Sequence, residues 1–347
     1  MSIGNGVRVL AAHEEARVAA LCADEGYSLV DGWSSAETDL LALAALPVPP
    51  AGLGDQGSGL DWASDGRFVI LEWRRTIVRV PRGELFHVLR TARNRHLIDD
   101  VEQAAWGGAK IGVAGLSVGS SALIACALTG ARDFRIADAD EIAVTNLNRV
   151  AASVVDIGLP KIESARRRVL ELDPYAAVET FAGGYTPDMA SRFLVGLSVV
   201  IEETDDIAAK LDIRVRARAA RIPVVMATDL GDGLIVDVER FDLDPDYPLL
   251  HGRGEPLLGG DMTDPAWRAR AAVALVGDAA PPRMIGAVGE LGRSITSWPQ
   301  LGSTAAQAGA LAAAAARYVV TGRPLASGRY RVGVEEMFGE QALDPAI

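Results

Sequence analysis

Between Ala109 and Phe241 the chain alternates short apolar runs rich in Val and Ile with stretches of helical period, and this pattern constrains the fold more than any other feature. Residues 110–114, 133–138, 177–181, 198–202 and 223–227 predict strands, and 120–129, 161–172 and 206–221 predict helices between them. Strands separated by helices pair through crossovers, so the sheet is expected to be parallel and covered by helices. Residues 233–241 alternate like an added antiparallel strand, and a small-residue helix at 303–320 closes the domain. The expected fold class is α/β, a doubly wound, Rossmann-like mixed sheet behind a small N-terminal α+β region.

Three regions are expected: 1–90, a main domain at 91–325 with a long Pro/Gly/Asp-rich excursion at 242–282, and a tail at 326–347. In the first, 7–22 predicts a helix and 47–59 a Pro/Gly-rich linker or loop. Residues 67–73 and 76–80 predict strands, and a helix is expected to start at Pro81 and run through 98.

Charge and cysteine content exclude several classes. There are 34 basic and 46 acidic residues, net −12, which argues against nucleic-acid or anionic-membrane partners but leaves room for a small anion held by local donors. Two cysteines, Cys22 and Cys126, cannot build a disulfide framework or a four-cysteine zinc site. The N-terminus meets acidic residues too early for a secretory segment, and the Ala-rich run at 305–320 is too short to span a bilayer, so a cytoplasmic protein is expected.

The chemistry gathers at predicted strand ends. Val113-Ala-Gly115-Leu-Ser117-Val-Gly119-Ser120 joins the first strand to a helix, where small residues let backbone N–H groups approach phosphates. Asp138, 23 residues after Gly115, can accept ribose hydroxyls. These features suit NAD as well as ATP. Asp140, Asn146, Arg149 and Lys161 follow in the next stretch; a dehydrogenase has no need of such a cluster, whereas attack on the α-phosphate of ATP does. Asp205 ends another strand, where a carboxylate can hold Mg²⁺.

The joint spacing of Gly115, Gly119, Asp138, Asn146-Leu-Asn-Arg149, Lys161 and Thr204-Asp205 resembles the ThiF/MoeB/HesA superfamily, the adenylating fold shared with ubiquitin-activating enzymes. The loop Gly115-Leu-Ser-Val-Gly-Ser120 and Ser297-Trp-Pro-Gln-Leu301 are similar to a bacterial branch of it. The resemblance implies ATP and Mg²⁺, with Gly115, Ser117, Gly119, Asp138 and Asp140 cradling the nucleotide. Asn146, Arg149 and Lys161 would contact the triphosphate, and Asp205 would carry the metal. It further implies a homodimer in which Arg95 enters the partner's site, and a carboxylate substrate: a ubiquitin-like or peptide C-terminus, or a small molecule. Lys210 stands where the family often has arginine. Ser117 and Val118 replace family glycines in a loop one residue shorter, so a catalytically reduced binding module and an NAD-binding oxidoreductase stand as alternatives.

The zinc-binding Cys pairs and the downstream acceptor cysteine of many relatives are missing, so neither zinc nor a thioester on this chain is expected; Cys126 reads as a packed hydrophobe. Asp206 is expected to cap a helix. Arg214, Arg216, Arg218 and Arg221 are expected on a solvated or interface face, and His251 in a surface loop.

Overall fold

The computed structural model describes residues 6–53, 60–261, 263–276 and 281–333. The chain divides into two compact units: Met1–Gly107 with Leu128–Gly130 and Val169–Ala176, and the remainder.

The first unit holds β1 (Val7–Ala11), α1 (Glu15–Glu25), β2 (Ser28–Asp31), α2 (Trp33–Ala44), α3 (Trp62–Asp65), β3 (Gly66–Leu71), β4 (Thr76–Pro81), α4 (Gly83–Thr91) and α5 (Asp100–Gly108). Among the described residues its sheet has the order β1-β3-β4-β2, with β2 parallel to β4 and the other pairs antiparallel. Leu10, Val18, Leu21, Phe68, Ile70 and Ile77 form one core.

Two expectations are corrected here. The predicted helix at 7–22 begins as a strand, because Val7 and Val9 favour extended backbone and pair with Leu71 and Val69. The helical stripe, Val18 and Leu21, starts only after Glu14, whose carboxylate accepts the Ala11 N–H at 2.9 Å. Pro81 likewise closes β4 opposite Gly66, and the helix starts two residues later. Residues 54–59 of the expected linker lie outside the described residues.

The second unit holds β5 (Lys110–Ala114), α6 (Val118–Leu128), β6 (Asp133–Ala137), α7 (Lys161–Leu172), β7 (Ala177–Phe181), α8 (Ala190–Leu194), β8 (Val199–Glu202), α9 (Ile207–Ala219), β9 (Val224–Leu230), β10 (Gly233–Glu239), α10 (Pro265–Val276), α11 (Pro282–Val288), α12 (Gly302–Thr321) and β11 (Gly328–Gly333). The described strands form a mixed seven-stranded sheet in the order β11-β10-β9-β8-β5-β6-β7. Strands β5 to β9 are parallel, and β10 pairs antiparallel with both β9 and β11. The chain winds outward from β5 through β6 and β7, then returns to β8 on its other side. The β5–β8 junction is thus a topological switch point, where open α/β sheets place ligands.

Within the expected tail, Gly328–Gly333 form β11; residues 334–347 lie outside the described residues. Arg329 on β11 binds the fully buried Asp237 of β10 through two nitrogens at 2.7 and 3.0 Å. The basic run is also not one solvated face. Arg214 is fully buried between Glu202 (2.5 Å) and Glu239 (2.6 Å), which compensate its desolvation. His251 is packed rather than exposed, its ring nitrogens 2.8 Å from Asp237 and 2.9 Å from the Tyr247 hydroxyl.

Candidate active site

Four turns at the carboxyl ends of β5, β6, β7 and β8 enclose a cavity of about 420 Å³. They contribute Gly115 to Ser117, Ala137 to Asp140, Gly183 to Thr186, and Glu203 to Asp206, and Lys161 enters from the start of α7. The cavity lies at the switch point. Gly115 has a φ of +86°, and a Cβ there would collide with the Glu203 carbonyl, so the turn requires glycine. Gly119 serves packing instead: a Cβ on it would press on Val113 at 3.1 Å.

Asp138 is 8% exposed and anchors two turns, accepting the N–H groups of Leu116 (2.6 Å) and Asp140 (2.8 Å). Burial pushes its carboxyl above the usual range, against those donors. The Lys161 ammonium, also 8% exposed as a residue, pairs with Asp140 at 2.7 Å and so points along the cavity wall. Asp205 is exposed, and among the described residues its carboxylate has no hydrogen-bond or ion-pair partner. Asp206 caps α9 by accepting the Ala208 N–H at 2.9 Å. Asp205 is therefore the free carboxylate of the pair.

Asn146 and Arg149 do not line this cavity. Asn146 is 9% exposed and accepts the Ala143 N–H at 3.0 Å, shaping the connection after β6. Arg149 reaches the glycine turn indirectly, donating to the Ser117 hydroxyl at 3.0 Å, and lines a neighbouring pocket with Trp298 and Gln300. In the first unit, Arg95 is held by Asp100 (3.4 Å) and by the carbonyls of Val48 (3.1 Å) and Pro49 (3.4 Å). Arg93, two residues earlier, is exposed and its guanidinium has no partner among the described residues.

Three further carboxylates, Glu202, Glu203 and Asp229, stand at or beside the cavity. Glu202 is fully buried; burial alone would raise its carboxyl, but Lys210 at 2.9 Å and Arg214 hold it below the ordinary value. Glu203 accepts the Ala227 N–H at 2.8 Å, and burial pushes it well above the ordinary value. Asp229, 4% exposed, is pushed up to about 6 by burial. Its Oδ2 accepts from Gln300 Nε2 at 3.2 Å, while its buried Oδ1 has no partner. Glu202 and Glu203 stood in the strand-end run 201–206, but the full burial of Glu202 is a tertiary fact.

Cys126 is fully buried in α6, where desolvation raises its thiol far above the ordinary value; Cys22 is half-buried. Among the described residues no three His, Cys, Asp or Glu stand close enough to hold a metal, and no helix is long and apolar enough to cross a membrane.

Comparisons with known proteins agree with this architecture. An uncharacterised Mycobacterium tuberculosis protein is 39% identical over 281 residues, spanning 77% of this chain and 38% of that one. The Escherichia coli tRNA threonylcarbamoyladenosine dehydratase is 32% identical over 123 residues, 35% of this chain and 45% of the enzyme. The chain thus spans less than half the length of these curated relatives. Among solved structures, E. coli MccB with MccA-N7isoASN shares the fold at a TM-score of 0.54, 17% identity, 74% of this chain and 72% of that one. PaaA does so at 0.51, 18%, 73% and 68%. The ThiF family signature matches residues 91–329, more than half of the sequence; the chain belongs to the ThiF family.

Proposed function

We propose that the chain adenylates a carboxylate with ATP. One observation carries the reading: Lys161 and the free Asp205 face the same switch-point cavity as the glycine turn and Asp138. A nicotinamide enzyme would have no use for that pair beside the ribose carboxylate. Curated ThiF-family relatives include molybdopterin-synthase adenylyltransferases, which supports the same chemistry.

In this reading Asp138 receives the ribose hydroxyls on the lone pairs its two backbone donors leave free. The turn from Gly115 to Ser117 brings main-chain N–H groups toward the phosphates. A carboxylate oxygen of the substrate attacks the α-phosphorus, the bond to pyrophosphate breaks, and an acyl-adenylate forms. Lys161 stabilises the charge that builds on the phosphate oxygens, and its pairing with Asp140 sets its direction before ATP arrives. Arg149 acts through Ser117, fixing the turn. Asp205 fits Mg²⁺, an ion that takes one or two carboxylates and keeps its waters and phosphate ligands; bound there it would neutralise the leaving pyrophosphate. Asn146 shapes the loop that presents Lys161. Arg95 is proposed to act in trans within a homodimer, after release from the carbonyls of Val48 and Pro49. The adenylate passes to a nucleophile outside this chain, because Cys126 is buried and held protonated.

Calorimetry with Mg·ATP and with NAD, followed by carboxylate-dependent exchange of labelled pyrophosphate into ATP, tests the reading. Binding of ATP and exchange are expected. Tight NAD binding without ATP binding would refute it. ATP binding with no exchange for any acid would leave a ThiF-fold binding module.

A further inference from the structure

Asp205 and Asp206 wall a second, larger cavity of about 1110 Å³. Its other side is built by α10 of the excursion and by α11, which follows it, and its lining side chains are mostly apolar: Val273, Val276, Met284, Ile285, Val288 and Leu291 among them, with Trp298. Val273 is 71% exposed and Ile285 62%, so hydrocarbon faces water across the opening. Arg268 is the lining cation, exposed and without a side-chain partner among the described residues. The two cavities share the Asp205-Asp206 wall, so a molecule in the larger one can extend one end toward the phosphates.

We propose that this cavity is the acyl site of the adenylation reaction and takes a hydrocarbon-rich carboxylic acid, aliphatic or aromatic, with its carboxylate at the Asp205 end. The inference rests on the adenylation reading and adds the substrate class. Three observations favour such an acid. A glycine-ended tail has no side chains to fill a lining of this kind, and its exposed hydrocarbon would stay wet. A peptide would bring a series of amides to a lining whose polar side chains are only two carboxylates, one guanidinium and the indole of Trp298. The volume matches that of small-molecule sites, which run to about 1,000 Å³. Arg268 supplies a positive charge that offsets Asp205 and Asp206 as an anionic substrate approaches.

The test measures pyrophosphate exchange with acetate, decanoate, and the peptides acetyl-Leu-Gly-Gly and acetyl-Leu-Phe, on the wild type and on Val273→Asp and Ala272→Trp. Val273 is exposed, so its variant keeps the fold; Ala272→Trp fills the cavity. Each buried CH₂ is worth about fourfold in affinity, so decanoate should exceed acetate by at least about a hundredfold in kcat/KM. Val273→Asp should raise KM for decanoate by about tenfold or more and leave KM for ATP unchanged. A blue shift of Trp298 emission on adding decanoate without ATP, lost in Trp298→Phe, reports occupancy independently of turnover. A Gly-Gly or Phe-ended peptide as good as decanoate would overturn the assignment while leaving adenylation intact. No ATP binding would remove the adenylation reading, and the assignment with it. If Val273→Asp instead splits a dimer in sedimentation and leaves the acid preference unchanged, the face is a subunit contact and the assignment is wrong.

Discussion

Replacing Asp229 with asparagine should stabilise the protein at neutral pH and leave its stability unchanged below about pH 4. The Asp229 carboxyl is 4% exposed and burial pushes it up to about 6, whereas unfolded it titrates near ~3.9. The gap of about 2 pKa units corresponds to roughly 3 kcal/mol that the folded state loses when the group ionises. A folded pKa above the unfolded one means that the native state holds the extra proton between about pH 4 and 6. Stability therefore falls as pH rises through that window and is flat above it. Asparagine keeps an acceptor for Gln300 Nε2 and carries no charge to bury. The attraction that Arg149 exerts on the ionised form already acts on the folded carboxyl, so its loss is not an added cost. Urea unfolding of both proteins at intervals from pH 4 to 8, with equal m values, gives the difference directly. A difference that does not change with pH, or a wild type more stable than the variant at pH 7.5, would refute the reasoning.

Lys161→Ala should lower the rate of pyrophosphate exchange by about a hundredfold while thermal unfolding barely moves, because its partner Asp140 has a side chain that is 71% exposed. A Cys22→Ser, Cys126→Ala double variant should retain exchange, with Cys126→Ala costing about 1 kcal/mol of stability through lost packing; mass spectrometry should find no adduct on either thiol of the wild type. Arg95→Ala and Lys161→Ala proteins, each inactive alone, should regain activity when subunits exchange, and a fully active monomer would count against the arrangement in trans. Arg93→Ala is the companion measurement, and loss of activity there with Arg95→Ala unaffected would assign the role to Arg93.

The central sheet was legible because its signals are local. The apolar runs fixed β5 to β9 within a few residues, and 161–172 matches α7 at both ends, since Lys161 follows Pro160 and Asp173-Pro174 stops the helix. In the N-terminal unit the expected strands at 67–73 and 76–80 match β3 and β4, whereas β1 and β2, which have few buried positions, were not foreseen. β2 is exposed throughout, with Leu29 and Val30 both 49% exposed, so no burial pattern marks it. At the site, sequence spacing brought Gly115, Ser117, Asp138, Asp140, Lys161 and Asp205 to one cavity, because each follows or ends a parallel strand or starts the next helix. It could not separate the residues that line the cavity from Asn146, Arg149 and Gly119, which brace it. Nor could it foresee Arg214: a basic residue four positions from Lys210 and two from Arg216 looks like part of a charged face, and only the pairing of β8 with β9 and of β9 with β10 brings Glu202 and Glu239 around it.

The shortened glycine loop admits a physical account that does not require loss of function. Glycine is needed where the backbone has positive φ or where another chain segment approaches closely. Here Gly115 meets both conditions, with φ at +86° and the Glu203 carbonyl against it, and α6 begins three residues later at Val118. The rest of the turn, at Leu116 and Ser117, is held by side chains. Asp138 grips the Leu116 N–H, and Arg149 grips the Ser117 hydroxyl. A run of several glycines would lose more backbone entropy on being ordered around a nucleotide. A loop clamped from both sides has met that cost during folding. Asp229 acts on the same clamp without touching it: its negative charge, kept at the expense of stability above pH 6, attracts the Arg149 guanidinium across space. Asp229→Asn should then trade activity for stability, with KM for ATP rising in the variant that unfolds later.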